Sequence, residues 1–281
     1  MAKQENWSTV IRPHSGIFDI DFQEIWKYRD LLWLFVKRDI TTVYKQTVLG
    51  PLWFIVRPVL TTLMFTFVFG KMAKVSTDGL PHIVFYLSGV TFWGYFSECL
   101  NKTSNTFTKN QGLFGKVYFP RIIVPGSIIF STFIKFLIQV SIFLIVWSFY
   151  FSKGQVSPSW QIALFPVVIC FMAMTSLGFG IIFSSLTTKY RDLRFLLGFG
   201  VQLWMYGTPV IYPLSAIPKE YVDIVKWNPI APLIETMRAG FLGKGSFDWN
   251  MFVYSGIFAV VIMAIGIVIF SRVEKNFMDT V

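Results

Sequence analysis

The sequence predicts an all-α integral membrane protein with six transmembrane helices. Three observations support this fold class. Of the 281 residues, 54% are hydrophobic and only 14% are charged, whereas a soluble domain usually carries about 25% charged residues. Several apolar runs approach the ~20 residues that a helix needs to cross a hydrocarbon core. The 31 phenylalanines and 10 tryptophans are typical of a lipid-facing protein with aromatic anchors at the membrane interfaces.

Residues 51–281 form the predicted transmembrane domain, and residues 1–50 form a cytoplasmic segment before it. The six spans cover residues 51–73, 82–100, 122–151, 161–186, 193–212 and 251–270. Because six is even, both termini lie on one side of the membrane. The loops on that side carry 16 Lys and Arg residues, against 7 in the opposite loops. The positive-inside rule therefore predicts cytoplasmic termini.

The N-terminal segment contains a predicted amphipathic helix. Asp21 and Glu24 have the spacing of a capping box. The apolar run "LLWLFV" that follows ends at Lys37 and Arg38 and is too short to span a membrane. We expect this helix to lie in the cytoplasmic interface. The alternative is a helix that packs against its own soluble neighbours. The apolar residues at roughly helical spacing are Phe22, Ile25, Trp26, Leu32, Trp33, Val36 and Ile40.

The segment between spans five and six also contains a predicted amphipathic helix, on the outer face. Asn228 is the expected N-cap, with Pro229 at the first helical position. Glu235 and Arg238 are spaced for an i, i+3 ion pair. A re-entrant position of this helix is tolerated only where protein covers it or where it lines a cavity. These four residues are the candidate outer gate.

Lys135 lies in the middle of span three, where an unpaired charge is costly. Ser127, Ser131, Lys135 and Gln139 recur every four residues and share one helical face. Two interpretations stay open for this polar stripe. It lines a polar pathway on which Lys135 and Gln139 contact substrate, or it packs against a neighbouring helix or subunit.

Arg57 and Glu98 are two further charges within the apolar spans. Arg57 is only about two turns into span one, so its side chain can extend to the headgroups or bind an anionic group. Glu98 can pair with Arg57 or with Lys102, and the sequence does not decide between them. Aromatic residues of spans two and five that line a channel can stack on the flat faces of sugars. The candidates are Tyr86, Phe92, Trp93, Tyr95, Trp204 and Tyr206.

Small residues recur every four positions in span four, at Ser176, Gly180 and Ser184. This spacing lets two helices approach closely. We interpret it as a packing feature with no chemical role.

No arrangement of catalytic residues is found, so we expect a chain that is not an enzyme and that binds no metal or cofactor. Its two histidines, His14 and His82, are far apart, and no two acidic residues share a span. "GFLGKGS" has the letters of a phosphate-binding loop but not the spacing. The net charge of +10 does not indicate nucleic acid binding, because the basic residues lie between apolar spans rather than in one patch.

Four motifs together resemble the permeases of type-2 ABC exporters. "TVLGPLWFIVRPVL" enters span one and "KVYFPRIIVPG" follows span two. "YRDLRFLLGFGVQLWMYGTPVIYP" covers span five and "WNPIAPLIETMRAGFLG" precedes the last span. They occur in family order between about residues 20 and 272. The similarity is greatest to the branch that exports O-antigen, capsule and teichoic acid.

The resemblance implies a homodimer in the bacterial cytoplasmic (inner) membrane, paired with two ATPase subunits that use ATP and Mg. It implies an undecaprenyl-linked glycan that leaves through a channel between the two permease chains. It also implies that the loop after span two carries a coupling helix on the ATPase. Lys135 departs from the family pattern and has no implied role. The coupling-loop residues are Lys116, Val117, Tyr118, Phe119, Pro120 and Arg121.

Three other functions remain as alternatives. The first is a permease of the same superfamily for a drug, haem or a small lipid. The second is a membrane-bound glycan-modifying enzyme, which the absence of paired carboxylates disfavours. The third is an ion-coupled transporter, which usually needs charges at the midplane of discontinuous helices and an internal repeat.

Overall fold

The computed structural model describes residues 26–45, 50–114, 116–117, 119–190 and 192–276. Within these residues the chain is entirely helical, and no β-strand is present. The α-helices are α1 (Arg29–Lys45), α2 (Trp53–Phe65), α3 (His82–Thr103), α4 (Thr106–Phe114), α5 (Ile123–Ser152), α6 (Phe165–Lys189), α7 (Leu193–Tyr206), α8 (Lys219–Lys226), α9 (Ala231–Leu242) and α10 (Trp249–Asn276). A π-helix, Thr66–Met72, continues α2, and short 3₁₀ turns cover Gly50–Leu52, Trp160–Leu164 and Leu214–Ala216.

Four helical stretches in the described residues are long and apolar enough to cross a membrane: Trp53–Met72, Ile123–Ser152, Trp160–Thr188 and Trp249–Val273. They coincide with predicted spans one, three, four and six. This establishes a multi-pass membrane protein and leaves the count of six as a prediction.

The other two predicted spans differ from these four in composition or in length. The second corresponds to α3, which has the length of a span at 22 residues but is largely buried among its neighbours. The fifth corresponds to α7, whose 14 residues extend only about 21 Å. Residues 207–212, which the prediction included in span five, form turns instead.

Helix α1 lies along α5 and covers its first turns. Phe35 and Val36 of α1 are buried, while Trp33 and Leu34 are 57% and 62% exposed. A helix with one packed face and exposed apolar side chains fits the predicted interfacial position, which stays a prediction. The predicted capping box at residues 21–24 lies outside the described residues.

Helix α3 is the centre of the larger hydrophobic core and packs against α2, α5, α6 and α9. A smaller core lies at the end of the molecule that carries α1 and α4. Its buried members are Phe35, Phe107, Phe114, Phe119, Ile123, Val124, Ile128, Ile181 and Phe270.

Helices α6 and α10 pack with their backbones in contact. A Cβ atom on Gly178 would lie 2.7 Å from the backbone of Ile262, and one on Gly266 would lie 2.7 Å from the carbonyl oxygen of Gly178. The small residues predicted to allow close packing, which lie on α6, also contact a neighbouring segment closely. Gly180 lies directly against Thr103 of α3, and the Ser184 hydroxyl accepts a hydrogen bond from the Phe107 N–H at 3.0 Å. The packing interpretation of this spacing is confirmed.

Candidate functional site

The predicted coupling loop is anchored to the body of the protein by one aromatic ring. Phe119 is 4% exposed and packs between Phe35 of α1 and Phe114 of α4, with ring centroids 5.8 Å apart in both cases. Its ring is therefore not available to a partner. Lys116 and Val117 remain exposed at the surface of the loop. Tyr118 lies outside the described residues.

The basic residues of this loop have different surroundings. The Arg121 guanidinium lies over the Phe114 ring, 5.4 Å from its centroid, and Arg121 and Pro120 are both half-buried. The Lys116 N–H donates to the Leu113 carbonyl at 3.1 Å, which continues the end of α4. Lys116 thus offers an exposed charge at the surface, whereas Arg121 packs on an aromatic ring.

Helix α4 lies between α3 and this loop, where the family resemblance implies a coupling helix. Its N-terminal turn is fixed by the Ser184 contact to Phe107 and by a hydrogen bond from the Thr187 hydroxyl to the Ser104 carbonyl at 3.3 Å. Thr108, Lys109 and Gln111 are exposed on its other face. The sequence interpretation did not single out these residues, because the polar stretch "TFTKNQG" has no strong apolar period.

A polar seam lies between α3 and α5, and it contains Lys135. The side chain of Lys135 is 5% exposed, and its Nζ lies 3.6 Å from the Glu98 carboxylate. Lys102 donates a hydrogen bond to the same carboxylate oxygen, Oε1. The choice that the sequence left open for Glu98 is thus decided in favour of Lys102, and Lys135 is a second partner that was not predicted.

The rest of the polar stripe faces protein. Ser127 and Ser131 are buried, and their hydroxyls donate to carbonyls one turn earlier in α5, those of Val124 and Ile128. The Gln139 side chain is half-buried opposite Gly94 of α3, with its Oε1 3.7 Å from where a Cβ on Gly94 would lie. Helices α3 and α5 run antiparallel along this seam. Gly94 faces Gln139, and Glu98 faces Lys135 one helical turn further along.

Most of the aromatic candidates are packed inside the chain. Tyr86, Phe92, Trp93 and Tyr95 are all at most 5% exposed. Phe92 contacts a ring from each of α5, α6 and α9: Phe136, Phe165 and Phe241. These four side chains build the core around α3 and present no open face in the single chain. Tyr206, at 48% exposed, is the aromatic candidate that reaches the surface.

Trp204 and Asn228 are brought together by a hydrogen-bond network. The Trp204 Nε1–H donates to the Asn228 Oδ1 at 3.0 Å, and the Ile230 N–H donates to the same oxygen at 3.1 Å. The Asn228 amide donates to the Gly207 carbonyl at 3.0 Å and to the Thr208 hydroxyl at 2.8 Å. Asn228 therefore joins the end of α7 to the segment that leads into α9.

Helix α9 starts slightly later than predicted and is buried on all sides. It begins at Ala231, with Pro232 in its first turn, instead of at Pro229. Asn228 still caps the approach to the helix through the Ile230 N–H. An amphipathic helix was expected, but every residue from Leu233 to Leu242 is buried. The polar side chains Glu235, Thr236 and Arg238 make the sequence of α9 look amphipathic. They bond to other groups of the protein instead of facing water.

Glu235 and Arg238 form the predicted i, i+3 ion pair, with Nη1 and Oε1 2.9 Å apart. Both side chains are at most 3% exposed. Arg238 also donates to the Val210 carbonyl at 2.6 Å and the Tyr212 carbonyl at 3.3 Å. The other Glu235 oxygen accepts the Ser246 N–H at 3.1 Å. One buried charge pair thus joins α9 to the segments on both sides of it.

Two residues of α3 complete the surroundings of Arg238. The guanidinium carbon lies 3.9 Å from the centroid of the Phe85 ring, an arrangement that favours the cation. A Cβ on Gly89 would lie 2.7 Å from the Val210 carbonyl and 3.1 Å from Nη2 of Arg238. Gly89 is therefore the position at which α3 leaves space for the ion pair. The sequence interpretation did not single it out, although a glycine inside a helical pattern can indicate such a close contact.

The site candidates thus fall into three separate regions instead of one pocket. The loop with Lys116 lies at one end, the Lys135 seam within the helical bundle, and the Arg238 cluster near the opposite end of α3. Arg57 is exposed on α2. Among the described residues, His, Cys, Asp and Glu form no group of three that could hold a metal ion.

A family model for ABC-2 type transporters matches residues 30–242 of this chain. This match covers most of the sequence. The chain belongs to the ABC-2 type transporter family.

Curated relatives extend the match beyond the family model. An O-antigen export system permease protein RfbA of Klebsiella pneumoniae is 26% identical over 250 residues, covering 89% of this chain and 94% of the relative. RfbA of Myxococcus xanthus is 28% identical over 221 residues, covering 78% and 83%. The polysialic acid transport protein KpsM of Escherichia coli is 23% identical over 239 residues, covering 85% and 91%. Two of these relatives are named as export permeases and the third as a transport protein, and the alignments cover 83–94% of their length.

Proposed function

We propose that this ABC-2 permease exports a polysaccharide, O-antigen or capsule in type, from the cytoplasmic side of the membrane. One observation carries the proposal: curated relatives that match 78–89% of the chain are named for O-antigen export or polysialic acid transport. The proposed substrate is an undecaprenyl-linked glycan, as the family resemblance implies.

The proposed topology has six spans, cytoplasmic termini and a position in the bacterial inner membrane. Helix α3 is long enough for a span, and α7 completes one together with the turns after it. The charge asymmetry of the loops supports the orientation. Helices α8 and α9 are the proposed re-entrant elements, and the burial of α9 meets the condition that protein must cover such an element.

The proposed assembly is a homodimer with two ATPase subunits, which bind ATP and Mg. Two helices support an interface with a second copy. Leu60, Met64 and Phe67 of the α2 segment are each more than 50% exposed, as are Phe195 and Phe199 of α7. Lipid or a second chain must cover such surfaces. The ATPase contacts α4 and the exposed part of the loop at Lys116 and Val117.

The proposed channel runs between the two chains, with Tyr206 and Arg57 accessible to it. Tyr86, Phe92, Trp93 and Tyr95 then support the channel wall from behind, because they are buried within one chain. Asn228, Pro229, Glu235 and Arg238 hold the outer segment as a gate and do not contact substrate themselves.

The deciding experiment deletes the gene in its host and measures polysaccharide on the cell surface with a specific antibody. We expect surface polysaccharide to disappear, to accumulate inside the cell and to return when the gene is supplied again. Co-purification with an ATPase chain tests the assembly in the same strain. Normal surface polysaccharide in the deletion strain, with altered tolerance to a drug or to haem, would instead support the small-molecule alternative.

A further inference from the structure

The polar seam between α3 and α5 carries more positive than negative charge. Lys135 and Lys102 share the single carboxylate of Glu98. The seam therefore has a net charge of +1 near the proposed cytoplasmic end of α3, where Lys102 lies two residues beyond predicted span two. Lys135 itself lies within predicted span three, where an excess charge is costly unless another group compensates it. Two lysines on one carboxylate leave one positive charge without a carboxylate partner among the described residues.

A third cation lies on α2, the helix that contacts Lys135. The Nζ of Lys135 lies 5.1 Å from the centroid of the Phe54 ring of α2. Arg57 follows Phe54 by three residues and is therefore on the same side of that helix. The Arg57 side chain is exposed, and no carboxylate among the described residues lies within ion-pair distance of it. The excess charge around Glu98 is thus about +2 when Arg57 is included.

The seam is open on one side. The side chains of Glu98 and Lys102 are each 34% exposed, whereas that of Lys135 is 5% exposed. A ligand can therefore reach the carboxylate and one ammonium group directly, with Lys135 behind them. On α2, the neighbouring side chains Trp53 and Leu60 are 48% and 54% exposed, which provides an apolar surface next to the charges.

We propose that Lys102, Lys135 and Arg57 form a binding site for the phosphate group of a lipid. Phosphate oxygens accept charge-assisted hydrogen bonds from ammonium and guanidinium groups, and a doubly negative phosphate or diphosphate neutralises the excess charge. Glu98 is the internal counter-ion of the empty site. It holds the two ammonium groups together and competes with the phosphate for them.

The adjoining apolar side chains favour a lipid over free phosphate. The lipid is either the undecaprenyl diphosphate carrier of the exported glycan or a phospholipid of the bilayer. Both present a phosphate at the headgroup with an apolar chain beside it. The carrier assignment rests on the proposed export function, whereas the phosphate site itself does not.

The test measures equilibrium binding to the full-length chain in nanodiscs of phosphatidylcholine. The probes are undecaprenyl diphosphate, undecaprenol without phosphate, phosphatidylglycerol and sodium diphosphate. We expect the wild type to bind undecaprenyl diphosphate, and the variants Lys135→Met and Lys102→Met to bind it about tenfold more weakly, a loss of about 1.4 kcal/mol. Lys153→Met is the matched control, because Lys153 follows the opposite end of α5, and its affinity should equal that of the wild type.

Glu98→Gln separates a phosphate site from a structural ion pair. Removal of the competing carboxylate should tighten binding several-fold, the opposite sign to the lysine variants. If the three charges are only structural, all three substitutions destabilise the protein and none changes its affinity for phosphate. Equal affinity of the wild type, Lys135→Met and Lys102→Met for both phosphate-bearing lipids would overturn the proposal, as would binding of undecaprenol as tight as that of the tighter of these two lipids.

The probes also identify the source of the phosphate. Tighter binding of undecaprenyl diphosphate supports the carrier, and lysine-dependent binding of phosphatidylglycerol alone supports a phospholipid. Competition by sodium diphosphate at the same concentration as the lipids would show that no lipid is recognised and would overturn the lipid assignment. A chain that fails to restore surface polysaccharide refutes the export function but leaves the comparison of phosphatidylglycerol binding intact, so the two failures are distinguishable.

Discussion

Replacing Arg238 by methionine should be among the most destabilising single changes in this protein. The substitution keeps a long apolar side chain in the same space and removes the charge. It leaves the Glu235 carboxylate buried, with the Ser246 N–H as its remaining hydrogen-bond donor among the described residues. It also leaves the carbonyls of Val210 and Tyr212 without their donor.

The magnitude follows from these contacts. A hydrogen bond that involves a charged group contributes about 1.5–3 kcal/mol, and a desolvated cation–π contact about 2 kcal/mol. The cost of burying the guanidinium offsets part of this sum. Removing one partner of a buried pair typically costs about 3–5 kcal/mol, and we expect Arg238→Met to lower the free energy of unfolding by that amount.

The assay is reversible unfolding of the purified chain in mixed micelles titrated with sodium dodecyl sulfate. Arg194→Met is the matched control, because Arg194 is exposed on α7, and we expect a change within about 0.5 kcal/mol. The double variant Arg238→Met, Glu235→Leu should recover part of the loss, because a buried pair can be replaced by apolar residues at little cost. Recovery should be incomplete, since the two carbonyls remain unpaired.

A loss below about 1 kcal/mol for Arg238→Met would refute this reasoning. Water would then have to reach the Glu235 carboxylate, and the cluster would not join α9 to its neighbours in the way the contacts indicate. A double variant that is no more stable than Arg238→Met would show that the carboxylate is not the source of the loss.

Three further predictions concern other contacts. Gly178→Ala should lower the free energy of unfolding by about 1–3 kcal/mol, because its Cβ would lie 2.7 Å from the backbone of α10. Gly198→Ala, where the Cβ meets open space, should be neutral or slightly stabilising in the same titration. Asn228→Ala should cost about 2–4 kcal/mol for four hydrogen bonds. Asn228→Asp keeps the Oδ1 acceptor but sets a carboxylate oxygen against the Gly207 carbonyl, so it should recover little of this loss; wild-type stability of Asn228→Asp would contradict this. Lys116→Glu should reduce surface polysaccharide several-fold at an unchanged protein level, whereas Lys153→Glu should not; normal export in Lys116→Glu would remove the coupling role of that charge.

Local patterns predicted the elements of this fold that depend on composition and helical period. The stretches that became α5, α6 and α10 were predicted because long apolar runs leave few alternatives to a spanning helix. The Glu235–Arg238 pair was predicted because an i, i+3 spacing brings two side chains together on any helix. These predictions needed no knowledge of what packs against each helix.

Contacts between distant segments could not be predicted in the same way. The burial of α9 on all sides results from α3, α6, α10 and the Trp160–Leu164 turn around it. Its own period indicated only one apolar face. The pairing of Lys135 with Glu98 depends on the register between α3 and α5, which no local pattern specifies. Likewise, the aromatic candidates of α3 were assigned to a channel because a dense aromatic stretch looks the same in a core as on a surface.

The burial of Phe119 has a mechanical consequence for the loop that contains it. Its ring lies in the smaller core together with side chains from α1, α4, α5, α6 and α10, and a packed core resists compression. Phe119 therefore fixes its part of the loop to the helices on either side, α4 and α5. If the ATPase contacts Lys116 and Val117 as proposed, we expect a displacement there to reach α4 and α5 at the ends that pack against Phe119.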